Sequence, residues 1–150
     1  MSLSIKTQKL VSRALKAMES EAPMYSDGFT TASAAIDYCS MKLSHCDSER
    51  FMVLFLNSQN ELIISEIMFN GTIDAASVYP REVIKRALEL NAKNLIISHN
   101  HPSGKAEPSQ ADKNITKRLQ DGCRLFDISI LDHIIVAGND SLSFAQRGLI

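Results

Sequence analysis

The chain has 150 residues, 45% of them apolar, and sets 16 Lys/Arg against 17 Asp/Glu for a net charge of −1. That length and apolar content suit one compact domain with a sizeable core. The near-neutral, interspersed charge weighs against a protein whose affinity comes mainly from neutralising phosphates. Cys39, Cys46 and Cys123 form no CxxC pair and are odd in number, which fits reduced thiols better than a disulfide framework. No stretch has the apolar character of a signal peptide or the length of a membrane span, so a soluble cytoplasmic protein is expected.

Residues 4–19 place Val11, Ala14, Leu15 and Met18 at helical spacing among charged residues, which predicts an amphipathic helix. Residues 20–29 collect Pro23, Ser26, Asp27 and Gly28 and read as a linker, dividing the chain into a helix with linker at 1–29 and a domain at 30–150. Thr30 or Thr31 can cap a second helix whose apolar face is Ala32, Ala35, Ile36, Cys39 and Leu43. Residues 51–56 are an unbroken apolar run, too short for a typical helix, and predict a strand covered on both faces. A turn at 57–60 and a second strand at 62–69 make an antiparallel hairpin, which Gly71 breaks, and 72–78 is an irregular crossing.

Pro80 opens a third helix with a stripe of Val83, Ile84, Ala87 and Leu88, stopped at Asn91. Residues 95–97 form a short buried strand. A fourth helix runs from Ser109 to about Gln120 on Ala111, Ile115 and Leu119, with Gly122 as its end. A long strand at 128–136, a turn at 138–140 and an edge strand at 142–144 close the chain. Helices feeding short strands after a hairpin predict an α/β layered domain.

The chemistry-bearing stretch is residues 95–112, LIISHNHPSGKAEPSQAD. In extended chain, residues two apart share a side, so His99 and His101 can aim at one point. Asp112 joins them only if the turn at 102–108 folds back. Two imidazoles and a carboxylate make a three-ligand protein set for Zn²⁺ with one place open to water. Ser109 followed by Asp112 also reads as an N-cap with an acidic partner, and the two roles are compatible because a helix start fixes the direction of the carboxylate.

His99-x-His101, seven residues, Ser109, two residues and Asp112 resembles the full signature of the JAMM, or MPN-plus, metalloproteases. The flanks FNGTIDAASVYPREV, NAKNLIISHNHPSG and LDHIIVAG resemble the bacterial RadC branch over nearly all of residues 30–150. The resemblance implies a mixed sheet flanked by helices, with cytidine-deaminase-like layering, and one Zn²⁺ held by His99, His101 and Asp112. It implies a catalytic Glu at the opening of the first strand, matched here by Glu49, with Glu66 in the second strand as the alternative base. Zinc would lower the pKa of its bound water to about 7. A carboxylate could move the proton to a leaving amine, and Ser109 could donate to the developing oxyanion.

Other residues have ordinary readings. His133, beside Asp132, is a core histidine oriented by a neighbour or a partner behind the metal site. His45 is an exposed loop residue, Cys123 has no neighbouring base, and Arg81 with Glu82 reads as a surface ion pair.

Two functions follow. The first is a zinc hydrolase acting on a peptide or a ubiquitin-like protein. The second is a DNA-processing or DNA-binding module, since the RadC family carries a DNA-repair association and its longer members resemble a helix-hairpin-helix segment joined to this domain. Residues 1–29 are too short to hold such a segment. A zinc nuclease stands between the two.

Overall fold

The computed structural model describes residues 4–20, 28–72 and 77–150, with side chains throughout except at 18–20. The order is α1 (Ile5–Ser20), α2 (Ala32–Leu43), β1 (Arg50–Leu56), β2 (Leu62–Asn70), α3 (Pro80–Glu89), β3 (Asn94–Asn100), α4 (Gln110–Arg124), β4 (Ser129–Ala137) and β5 (Asp140–Ser143). The strands form one sheet in the order β2-β1-β3-β4-β5. Only the β3–β4 pair is parallel, so the sheet is mixed, as expected. Among the described residues no helix is long and apolar enough to cross a membrane.

The apolar run of β1 is buried from Phe51 to Leu56 because both faces of the sheet are covered. Phe51, Val53 and Phe55, with Leu95 and Ile97 of β3, pack on Val83 and Ala87 of α3 and on Ile115 and Leu119 of α4. Met52, Leu54 and Leu56, with Ile96, Ile134 and Val136, pack on Ala35, Cys39 and Leu43 of α2. Alternation along each central strand therefore feeds two cores. Each fully buried Val, Leu, Ile, Phe or Met side chain among them contributes about 1.5–3 kcal/mol.

Thr31 caps α2, its hydroxyl accepting from Ala34 N–H at 3.3 Å. The buried face of α2 includes Tyr38, which the helical stripe did not mark, while Ala32 and Ile36 are only half-buried. Tyr38 goes inside because its hydroxyl meets Ser65 Oγ on β2 at 2.7 Å, leaving no polar atom stranded. Leu88, placed in the α3 stripe by spacing, is 51% exposed, because α3 presents only Val83, Ile84 and Ala87 to the core. Gly122 does not end α4, which continues to Arg124. A Cβ there would stand 3.1 Å from Ile84 Cδ1, so this glycine serves the close approach of α3 and α4. In α1, Val11 and Leu15 are half-buried beside the end of α2, but Ala14 is exposed. Of the linker expected at 20–29, residues 21–27 lie outside the described residues, Ser20 belongs to α1 and Phe29 is buried in the core; of the crossing at 72–78, residues 73–76 lie outside them.

β3 is longer than the three apolar residues that announced it, running from Asn94 through His99 to Asn100. It pairs antiparallel with β1, Phe51 opposite His99, and parallel with β4, His99 opposite Ile135. A parallel pair needs a crossover, and α4 supplies it. The carboxyl end of β3, the amino end of β1 and the start of α4 consequently meet in one place.

Cys39 and Cys123 are fully buried, and burial pushes their thiols up to about 12 and about 11 respectively. Cys46 is only half-buried. Iodoacetamide at pH 8 should therefore label the folded chain once, at Cys46, and the urea-unfolded chain at all three cysteines, as read by intact mass. Rapid labelling of Cys39 or Cys123 in the folded chain would contradict this packing.

Candidate metal centre

His99 is the sixth residue of β3 and fully buried, on the face that packs against α4. His101 lies just past the strand, yet its N–H still donates to Val136 O of β4 at 2.8 Å, so the ladder holds its backbone. The chain then turns through 102–108 to Ser109, the N-cap of α4. Ser109 Oγ accepts from Asp112 N–H at 3.0 Å, and Ser109 N–H donates to Asp112 Oδ2 at 2.8 Å. This capping box aims the Asp112 carboxylate back at the strand end. Asp112 thus serves both as the acidic partner of the cap and as a candidate ligand.

His99 Nε2 stands 3.0 Å from Asp112 Oδ1, His101 Nε2 stands 3.3 Å from Oδ2, and the two Nε2 atoms are 2.9 Å apart. His101 Nδ1 donates to Lys105 O at 2.8 Å, which leaves Nε2 facing the cluster. Burial alone would raise the Asp112 carboxyl, but its close polar contacts with His101 and His99 and the hydrogen bond from the Ser109 N–H overrule it and hold the group well below the usual carboxylate range. His101 is raised above the ordinary imidazole value, first by its bond to Asp112 and also by the bond to Lys105 O and the charge of Glu49. The candidate donor atoms, all within 4.8 Å of one another, form a buried group that can hold a metal ion. The donor set fits: converging nitrogen and carboxylate lone pairs repel one another until a cation stands between them, and His/His/Asp suits a divalent ion.

Glu49 is half-buried, immediately ahead of β1, and near enough for its charge to act on His101. Its carbonyl accepts from Gly71 N–H at 3.0 Å. Glu66 lies on β2 opposite Val53, and both its oxygens bind Arg86 at 2.6–3.1 Å. That bond lowers the Glu66 carboxyl. Arg81 and Glu82 form an exposed pair at 3.5 Å, and His45 is exposed. Beside His101, a cavity of about 260 Å³ is lined by Cys46, Asp47, Asn100, Gly104 and Gly138 among others.

Three polar residues complete the surroundings, and of these the sequence marked only His133, by its place beside Asp132 in an apolar strand. Asn100 lies between the two histidines and so points to the other side of the strand. Its Oδ1 accepts from Arg50 N–H at 2.7 Å, and its Nδ2 donates to Ser48 O at 3.0 Å and to Cys46 O at 3.3 Å. It straps the segment carrying Glu49 onto the end of β3. His133, fully buried on β4, places Nε2 2.8 Å from His99 Nδ1. Thr116 Oγ1, one turn beyond Asp112, lies 2.6 Å from His133 Nδ1.

A helix-covered mixed sheet whose central strand ends in such a group has the architecture of a JAB-type domain. Residues 29–149 match the family described as RadC-like JAB domain, and the chain belongs to that family. It is 57% identical over 122 residues to the UPF0758 protein PSHAa2643 of Pseudoalteromonas translucida (strain TAC 125), covering 81% of this chain and 54% of that protein. A UPF0758 protein of Vibrio atlanticus (strain LGP32) is 56% identical over 124 residues, covering 83% and 55%. The UPF0758 protein YfjY of Escherichia coli (strain K12) is 45% identical over 148 residues, covering 99% of this chain and 92% of that protein. The chain thus spans about half the length of the first two relatives and nearly all of the third.

Because Asp112 raises His101, a proton competes with metal for Nε2 at pH values where an ordinary imidazole is already neutral. Apparent metal affinity should be level at alkaline pH and fall roughly tenfold per pH unit once the pH drops below the raised value. Titration with a chromophoric metal indicator between pH 8 and 5 measures this, and a flat profile would remove His101 from the ligand set.

Proposed function

We propose that the chain is a zinc-dependent hydrolase of the metallopeptidase or isopeptidase class. The observation that carries this reading is the convergence of His99 Nε2, His101 Nε2 and the Asp112 carboxylate at the carboxyl end of a buried strand. Two imidazoles and one carboxylate suit Zn²⁺, which when bound supplies a nucleophile at neutral pH by lowering the pKa of its water to about 7.

The chain's own residues do the remaining work. Glu49 is the proton carrier, taking a proton during attack and delivering it to the leaving amine. Its support is the pairing of Phe51 with His99, which brings the start of β1 beside the strand end, and the Asn100 strap on either side of it. Glu66 is the weaker candidate because Arg86 already occupies both of its oxygens. Ser109 Oγ accepts from the Asp112 N–H, which leaves its own proton to donate to an oxyanion on the attacked carbonyl. The turn at 102–108 is short and offers little surface to grip a folded protein, which favours a peptide or an extended ubiquitin-like tail as substrate. The balance of 16 basic against 17 acidic residues gives a DNA-binding role no comparable support.

Elemental analysis of the purified chain should find zinc, lost in His99→Ala, His101→Ala and Asp112→Ala. In a zinc-replete screen of peptides and ubiquitin-like fusions, Glu49→Gln should lower kcat by about 10²–10⁴-fold with zinc retained, and Glu66→Gln should leave it unchanged. Equal zinc in all three ligand variants would sink the site, and a fully active Glu49→Gln would sink the proton carrier.

A further inference from the structure

We propose that His133 and Thr116 are positioning residues that set the tautomer of His99, keeping its Nε2 bare toward Asp112 and His101. The inference rests on His99 being a metal ligand and adds the groups that make it one.

The argument is a count of protons. Thr116 Oγ1 stands 2.6 Å from Asp112 O and 2.6 Å from His133 Nδ1, and the hydroxyl has one proton. A backbone carbonyl only accepts, so that proton lies on the bond to Asp112 O, and Oγ1 in turn accepts from His133 Nδ1–H. A neutral His133 then has a bare Nε2, which accepts from His99 Nδ1–H at 2.8 Å. The one proton of His99 is on Nδ1, and Nε2 is left as a lone pair.

The opposite order is the only other way to run the same chain. Thr116 would donate to His133 Nδ1, His133 Nε2–H to His99 Nδ1, and His99 Nε2–H to Asp112 Oδ1. That order leaves two oxygens, Thr116 Oγ1 and Asp112 O, 2.6 Å apart with no proton between them, and it blocks Nε2. The contact between Thr116 and the Asp112 carbonyl therefore decides whether His99 can bind a metal.

The rings are held for this task. His133 packs on Phe144 at 4.6 Å between ring centroids and edge-on to Phe51 at 6.1 Å. Asp132, next in the strand, turns to the other face, where it accepts from Ser143 Oγ, His133 N–H and Ala145 N–H at 2.5–3.0 Å. It secures the backbone of His133 without offering its ring a charge. Thr116 sits one turn after Asp112, so α4 contributes one ligand directly and orients another through His133.

Long-range ¹H–¹⁵N correlation of the metal-free full chain near pH 8 reads the tautomer without metal or activity. In the wild type, His99 should show a protonated Nδ1 and a bare Nε2. Thr116→Val, which keeps the shape and removes the hydroxyl, should move His99 toward the Nε2–H form and weaken Zn²⁺ binding by about 10–100-fold in a competition titration, and Thr116→Ser should restore both. An Nε2–H tautomer in the wild type would overturn the proposal. So would a Thr116→Val chain with unchanged tautomer and affinity, or a Thr116→Ser chain that behaves like one lacking the hydroxyl. A wild-type chain with the expected tautomer but no zinc affinity would instead reject the metal site and leave the proton order standing.

Discussion

The pairing of β3 with neighbours of opposite sense is the constraint on which the site depends. On one side β1 runs antiparallel, so its amino end meets the carboxyl end of β3. On the other side β4 runs parallel, so the chain must cross over through α4 before it can pair. Three segments distant in sequence are thereby delivered to the end of one strand: Glu49 ahead of β1, His99 and His101 on and after β3, and Asp112 at the start of α4. Shifting β3 by one residue would send His99 to the α2 face and Asn100 to the cluster.

Burying this much polar chemistry beside an apolar core is costly unless every group is paired. Asp112, Thr116, Asp132, His99, His133, Asn100 and Ser98 are all buried, and among the described residues no buried side-chain nitrogen or oxygen lacks a hydrogen-bond partner. The pairing is divided by face. Cluster-side groups form the line from Thr116 through His133 to His99, and on the α2 side Asn100 binds the backbone entering β1 while Asp132 binds that of His133 and of Ala145 past β5. Rigidity at the cluster therefore comes from packing and from backbone bonds together.

The elements legible in the sequence were those with a strong period or a strong punctuator. The run from Phe51 to Leu56, the Pro80 helix start and the Ser109–Asp112 cap all stand where pattern placed them. Local signals misread several positions, Ala14 and Ile36 among them, and three show why. Gly122 resembles a helix stop but is a packing position against Ile84, Leu88 fits the stripe but lies beyond the buried arc of α3, and Tyr38 is drawn inside by Ser65 on a strand 27 residues away. Each depends on a neighbour that helical period cannot register.

The sequence by itself determined the candidate ligands. Two histidines at strand spacing and an aspartate in a helix cap have few other arrangements, because period two and capping geometry are local properties of the chain. Tertiary structure decided which groups stand behind them. That His133 faces His99, that Thr116 closes the line to Asp112, and that Asn100 straps the Glu49 segment follow from strand order, register and the crossover of α4. The bonds of His133 to His99, of Thr116 to His133 and of Asn100 to Ser48 join residues 17 to 52 positions apart, and no periodicity within one element encodes them, whereas the step from Thr116 to Asp112 is one helical turn.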